Sequence, residues 1–235
     1  MNNISNDFLV RNLSAPFRNV MKFHLIYKGA LSSSGNSPKP KEALAIREQL
    51  SSQMELLWQV HSSLLELKYS AKVPKPHSSL RMIADSPLMT AKEQHDRNPQ
   101  HIKEELVDLC EPIDVGTHKY IPLIRKSLSL NCSLKILFLR QEDPGALISK
   151  AGDIDNRIKT LLDGLKVPDK DTQDRHPPKL DPTYCLLESD FLVSDLDIDT
   201  DRLLFPETTF PNEVHLVIEV KVNVLRAGLW NLCLL

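Results

Sequence analysis

At 235 residues, with 41% hydrophobic and 26% charged residues, the chain has an ordinary folded-protein composition and enough length to bury one core. A net charge of −2 gives no support by itself to nucleic-acid binding, and no apolar run is long enough to span a bilayer. The charge is uneven: residues 1–150 carry 20 Lys/Arg against 15 Asp/Glu, whereas residues 151–235 carry 9 against 16, so the C-terminal part would repel a polyanion unless cations neutralise it.

Residues 20–28 predict a first strand, with Phe23, Leu25 and Tyr27 alternating with Lys22 and His24. A polar loop rich in Ser, Gly, Asn and Pro follows, from Gly29 to Lys41. From Pro40 to about Leu67 the spacing of Ala43, Ile46, Leu50, Met54, Leu57 and Leu64 predicts one long helix. Residues 70–98 read as a loop or insertion, and Ile102, Leu106 and Leu109 predict a short helix over 100–110. A strand is expected over 129–140, and a helix from about 153 whose buried stripe is Ile158, Leu161, Leu162 and Leu165, capped by Asp155 or Asn156 and stopped by Pro168. Residues 169–183 read as a charged, proline-containing loop, and 184–193 as a short apolar segment interrupted by Glu188-Ser189-Asp190. The last strand is expected over 213–224, with Val214, Leu216, Ile218, Val220, Val222 and Val224 on one face. The tail 225–235 fits either a cover for the core or a contact with a second subunit.

Four scattered cysteines (110, 132, 185 and 233) with no CxxC pair fit reduced thiols in a cytoplasmic protein rather than a structural zinc site. Residues 1–12 lack the basic and apolar regions of a secretory signal.

The chemistry concentrates in Asp153-Ile-Asp155-Asn156-Arg-Ile-Lys159-Thr-Leu-Leu-Asp163-Gly-Leu165. Two carboxylates one residue apart repel each other unless a cation sits between them, and hard divalent cations prefer oxygen ligands. A helix N-terminus also tolerates neighbouring anions. Asp155, Lys159 and Asp163 step by four and form one ridge, which equally fits i,i+4 ion pairs on a solvated face. In the later segment either Glu188 or Asp190 is expected to turn toward a polar site, since an unpaired buried carboxylate is costly. The alternating Asp195, Asp197, Asp199 and Asp201 fail the calcium-loop pattern, with Thr200 in place of the glycine and Pro206 in place of the final glutamate, and are expected on an exposed edge strand. No GxGxxG, P-loop, GxSxG or HExxH motif is present, and the eight histidines show no ligand spacing.

The order strand, Ser/Gly/Asn loop, long helix, strand, Asp-x-Asp-Asn-x-x-Lys-x-x-x-Asp-x-Leu helix, acidic segment resembles the RusA family of Holliday junction resolvases. The resemblance runs from about residue 20 to 225. It rests on Asp153–Leu165 and on Ser189-Asp190-Phe-Leu-Val193, where Ser189 stands in place of the first member of the family's aspartate pair. It implies an α+β fold, a RusA-like mixed sheet packed against helices, in a single domain with core residues 20–67 and 129–225 and an insertion over 68–128. It further implies a homodimer that cleaves branched or four-way-junction DNA with Mg²⁺ or Mn²⁺, through metal-binding Asp153, Asp155 and Asp190 and the active-site Lys159. Asp163 and Glu188 are additional acidic candidates. DNA contact is expected from Lys28, Lys39, Lys41 and Arg47. The alternative is a catalytically inactive relative that binds DNA or protein.

Overall fold

The computed structural model describes residues 20–32, 39–74, 106–141, 153–204 and 213–235. In chain order the elements are β1 (Lys22–Ala30), α1 (Pro40–Val60), α2 (Ser62–Ser70), β2 (Lys72–Pro74), β3 (Leu106–Asp108), β4 (Ile113–Val115), β5 (His118–Ile124), β6 (Leu130–Arg140), α3 (Asp153–Leu165), α4 (Lys170–Arg175), β7 (Thr183–Leu187), β8 (Val193–Arg202) and β9 (Glu213–Val224). The chain is therefore mixed α+β.

Strict apolar/polar alternation builds the main sheet, ordered β1-β9-β6-β8. β9 runs antiparallel to both β1 and β6, and β8 runs parallel to β6. The register aligns whole rows: Leu25, Ile218, Ile136 and Ile198 share one, and Phe23, Val220, Leu134 and Leu196 another. Apart from Leu196, which is 38% exposed on the edge strand, these rows face the core together with Ile46, Leu50, Met54 and Trp58 of α1, Leu64 and Leu67 of α2, and Ile158, Leu161 and Leu165 of α3. Burying one such side chain contributes about 1.5–3 kcal/mol. A second sheet, ordered β4-β5-β7, adds Tyr120, Leu123 and Ile124, all fully buried.

Both edges of the main sheet are guarded. On β1 the Gln53 amide of α1 accepts from Ile26 N (2.9 Å) and donates to Ile26 O (2.6 Å), and Gln49 accepts from Lys28 N. A side chain thus does what a neighbouring strand would do, which blunts the edge. On the other edge β8 exposes Asp195, Asp197, Asp199 and Asp201.

Several expectations need correction. The long helix breaks at His61, whose extended backbone (ψ 120°) separates α1 from α2. Of the helix expected over 100–110, residues 100–105 lie outside the described residues. Leu106–Asp108 is instead a strand, because pairing with β2 supplies backbone partners that a lone helical turn lacks. The loop expected over 169–183 contains α4, started by Asp169, whose carboxylate accepts from Thr172 N at 2.7 Å. α3 already begins at Asp153, so Asp155 and Asn156 lie inside its first turn rather than capping it. Part of the expected insertion is core, since β5 pairs with β7 and buries three large side chains. The tail covers the core: Cys233 and Leu234 are buried, and Asn231 donates to Leu128 O at 2.8 Å. Among the described residues, no helix is long and apolar enough to cross a membrane.

Candidate functional site

α3 carries the motif and fixes which residues it offers to solvent. Ile158, Leu161 and Leu165 bury one stripe, so Asp155 and Lys159 are exposed and Asp163 is half-buried on the opposite ridge. Arg157 points inward instead: it is buried, and it donates to Leu31 O at 2.5 Å, tying the start of α3 to the chain just after β1. Asp153 lies in the first turn of α3, and its side chain is outside the described set.

The C-terminal end of α3 is held by α1. Arg47 donates through Nε to Lys166 O (3.1 Å) and through Nη2 to Asp163 O (2.5 Å), satisfying carbonyls that the helix leaves without partners. Arg47 is only 3% exposed, so it is withdrawn as a phosphate ligand: its charge is committed to capping α3 from within. The helices meet closely at Gly164, where a Cβ would lie 2.6 Å from Ile46 Cγ2.

Beyond α3 the chain joins the second sheet. Lys166 bridges to Leu187 in parallel register, and Val167 N donates to Leu187 O at 3.0 Å. Because β7 ends there, Asp190 arrives three residues later beside α3, in a short 3-10 turn over Asp190–Leu192. Lys166 Nζ lies 2.9 Å from Asp163 Oδ1 and 3.1 Å from Asp190 Oδ2, so one ammonium bridges two carboxylates. Ser189 Oγ adds a 3.3 Å contact to Asp190 Oδ1. Desolvation pulls the Asp190 carboxyl upward, but the Lys166 ammonium and the Ser189 hydroxyl outweigh it and hold the pKa below the ordinary value. Desolvation likewise opposes the Lys166 charge, but its two aspartates outweigh it and raise its pKa.

The sequence-predicted residues divide accordingly. The fold brings Asp163 and Asp190 together through Lys166, a residue the motif reading missed although it stands three positions after Asp163 on the same ridge. Asp155 lies eight residues up the helix, about 12 Å along the axis at ~1.5 Å per residue, so Asp190 meets the far end of the ridge from Asp155. No contact within the described set joins Asp155 or Lys159 to Asp190. Glu188 turns away, its Oε2 accepting from Lys126 N at 2.8 Å. Lys28 pairs with buried Glu213 (3.4 Å), Lys39 Nζ donates to Ser32 O, and Lys41 is exposed on the first turn of α1. Phe191, directly after Asp190, is 90% exposed.

Two carboxylates converging on one cation form an all-oxygen donor set, which fits Mg²⁺ chemically, since that ion commonly takes one or two carboxylates and fills its remaining positions with water or phosphate. Among the described residues no group of three His, Cys, Asp or Glu gathers at metal-holding distance. A scan against protein-family models, a search of the curated proteins and a search of the solved structures each find no match.

Proposed function

We propose that the chain is a divalent-metal-dependent, structure-selective endodeoxyribonuclease of the cytoplasm, acting on branched DNA such as a four-way junction. The observation that supports it is the return of Asp190, 35 positions after Asp155 in the sequence, to the helix that carries Asp155, Lys159 and Asp163. Carboxylates from two distant segments, Asp163 and Asp190, meet at one point of this surface, and paired carboxylates are the usual protein contribution to a Mg²⁺ site on a phosphate.

In this reading either Asp153 and Asp155 at one end of the ridge or Asp163 and Asp190 at the other would hold the metal, which when bound would supply a water of lowered pKa and offset charge on the phosphate; the ~12 Å between the two ends rules out one ion shared by Asp155 and Asp190. The protein's own residues do the rest. Lys159, exposed one turn after Asp155, steadies the developing negative charge on the phosphate. Lys41, exposed on the first turn of α1, Lys39 just before it and Lys28 on β1 contribute salt-sensitive affinity for the DNA backbone.

A second reading, a protein that binds without cutting, is favoured by one observation: the Lys166 ammonium lies between Asp163 and Asp190, where a cation would otherwise sit. One experiment separates the two. A labelled synthetic four-way junction is incubated with wild type, Asp155→Asn, Asp190→Asn and Lys166→Met, with and without Mg²⁺. Metal-dependent nicking by wild type, lost in both aspartate variants, supports the nuclease. No nicking of four-way, three-way or flapped DNA by folded wild type rejects it. Cutting gained only in Lys166→Met identifies the lysine as the block and favours the binding-only reading for the natural chain.

A further inference from the structure

Phe191 is 90% exposed, whereas the other two phenylalanines among the described residues, Phe23 and Phe138, are buried. Leaving so large an apolar side chain in water forgoes burial that would stabilise the fold. The backbone under the ring is nevertheless pinned. Ser189 Oγ accepts from Phe191 N at 3.4 Å, Ser189 O accepts from Leu192 N at 3.1 Å, and Val193 N donates to Asp190 O. Leu192 is buried, and Val193 opens β8 in register with Cys132 of β6. The turn therefore cannot fold its ring inward without drawing Leu192 out of the core.

The chain around the ring is polar and carries cations. Asp190 is held by the Lys166 ammonium at 3.1 Å. Two residues earlier, Glu188 accepts from the backbone N of Lys126, an exposed lysine. The segment 188–192 thus offers one ring and no run of exposed apolar residues, with a lysine at each of its two acidic positions. A protein partner docks on a patch of many residues, about 800 Å² on each side. A nucleobase needs one ring face, with cations close enough to meet the phosphates beside it.

We infer that Phe191 stacks on a nucleobase at the branch point of the DNA and so sets the preference for branched DNA over plain duplex. Where helices part, a base loses one of its stacking neighbours, and a rigidly presented ring from the protein replaces it. In an uninterrupted duplex every base face is already covered, and the ring finds no partner. Stacking tolerates any base, so this contact reads the shape of the DNA and not its sequence. The inference rests on the DNA-cutting reading for its partner, and it adds the residue that recognises the branch beside Asp190.

Equilibrium binding of the full chain to a labelled four-way junction and to a plain duplex, read by fluorescence anisotropy, tests it. Ca²⁺ replaces Mg²⁺, since it also takes oxygen ligands but with looser geometry, which separates binding from cutting. Phe191→Ala and Phe191→Leu are each expected to weaken junction binding at least about fivefold and to leave duplex binding unchanged, whereas Phe191→Tyr keeps the ring face and the wild-type affinity. The leucine variant discriminates, because it stays apolar and loses only the ring. Ultraviolet crosslinking to a junction with bromouracil at the branch point is expected to label the peptide that carries Phe191, and the same base placed within an arm is not. Thermal melting checks that each variant remains folded. Unchanged junction binding by Phe191→Ala, or Phe191→Leu binding as well as Phe191→Tyr, would overturn the inference and leave the nuclease reading standing. A wild type that binds no junction would overturn both. Junction binding that depends on the Phe191 ring, in a wild type that nicks no branched DNA with Mg²⁺, would support the inference and reject the nuclease reading alone.

Discussion

Gly164 is the tightest point of the contact between α1 and α3, and Gly164→Ala puts a number on it. An alanine Cβ there would sit 2.6 Å from Ile46 Cγ2, 2.7 Å from Ile46 Cβ and 3.1 Å from Ala43 O. Ordinary carbon–carbon contact is about 3.5–4.0 Å, so the helices must part by nearly an ångström or Ile46 must move. Ile46 is fully buried, and its β-branched side chain has little rotamer freedom within a helix, so it cannot swing aside. Overpacking of this kind costs about 1–3 kcal/mol, while replacing glycine within a helix returns up to about 1 kcal/mol. The net expectation is a loss of about 1–2 kcal/mol, seen as a fall of roughly 2–8 °C in melting temperature for a chain of this size. Parting the helices also draws Asp163 O away from Arg47 Nη2, so the cost cannot be relieved without disturbing that 2.5 Å bond. Thermal unfolding of Gly164→Ala, Ile46→Ala and the double variant measures the coupling, and the double is expected to cost less than the two singles added. A Gly164→Ala protein as stable as wild type, or strict additivity in the double, would refute the close-approach reasoning.

Arg47→Met leaves the carbonyls of Asp163 and Lys166 without their buried donor; hydrogen bonds from charged groups contribute about 1.5–3 kcal/mol, so a clear fall in melting temperature is expected, and a variant that melts with wild type would refute the capping role. Asp190 has a folded pKa below its unfolded value of about 3.9, so its contribution is fully present above that pH and is lost as pH falls through the lower folded value. Asp190→Asn is therefore expected to flatten the acid side of a melting-temperature profile taken below about pH 4, and an unchanged slope there would remove Asp190 from the linkage. Gln53→Ala strips the partners from both Ile26 N and Ile26 O on the edge of β1, so faster aggregation at unchanged secondary structure is expected by light scattering; equal aggregation rates would show that the amide does not guard the edge.

Much of the sheet was readable because its code is local. β1, β6 and β9 alternate strictly, and one buried face forces that alternation on every strand of the layer. α3 was readable from Ile158, Leu161 and Leu165, whose spacing admits no strand. What failed depended on partners distant in sequence. Ile102, Leu106 and Leu109 mimic a helical stripe, yet residues 106–108 pair with a strand more than thirty positions earlier, and nothing in the local pattern announces that pairing. The break at His61 has neither proline nor glycine to mark it. The α4 start did carry a signal: Asp169 stands three residues before Thr172 and accepts from its N–H.

The site was legible in its residue types and not in its pairing. By residue type Arg47 reads as a surface cation, but it follows Ala43 by four and precedes Leu50 by three, placing it on the buried stripe of α1. Position on the stripe was the better guide than residue type, and it leads to a carbonyl-capping role. The same logic applies to Lys166. A carboxylate near a helix end attracts a cation, and the one that arrives first is covalently attached: Lys166 stands three residues from Asp163, and the Leu187 bridge delivers Asp190 to the same ammonium. A divalent ion must compete with that tethered charge or bind farther up the ridge at Asp155. The Lys166 side chain is 26% exposed and its two aspartates 36% and 40%, so solvent screens the lysine's hold on them more than it would in a fully buried ion pair.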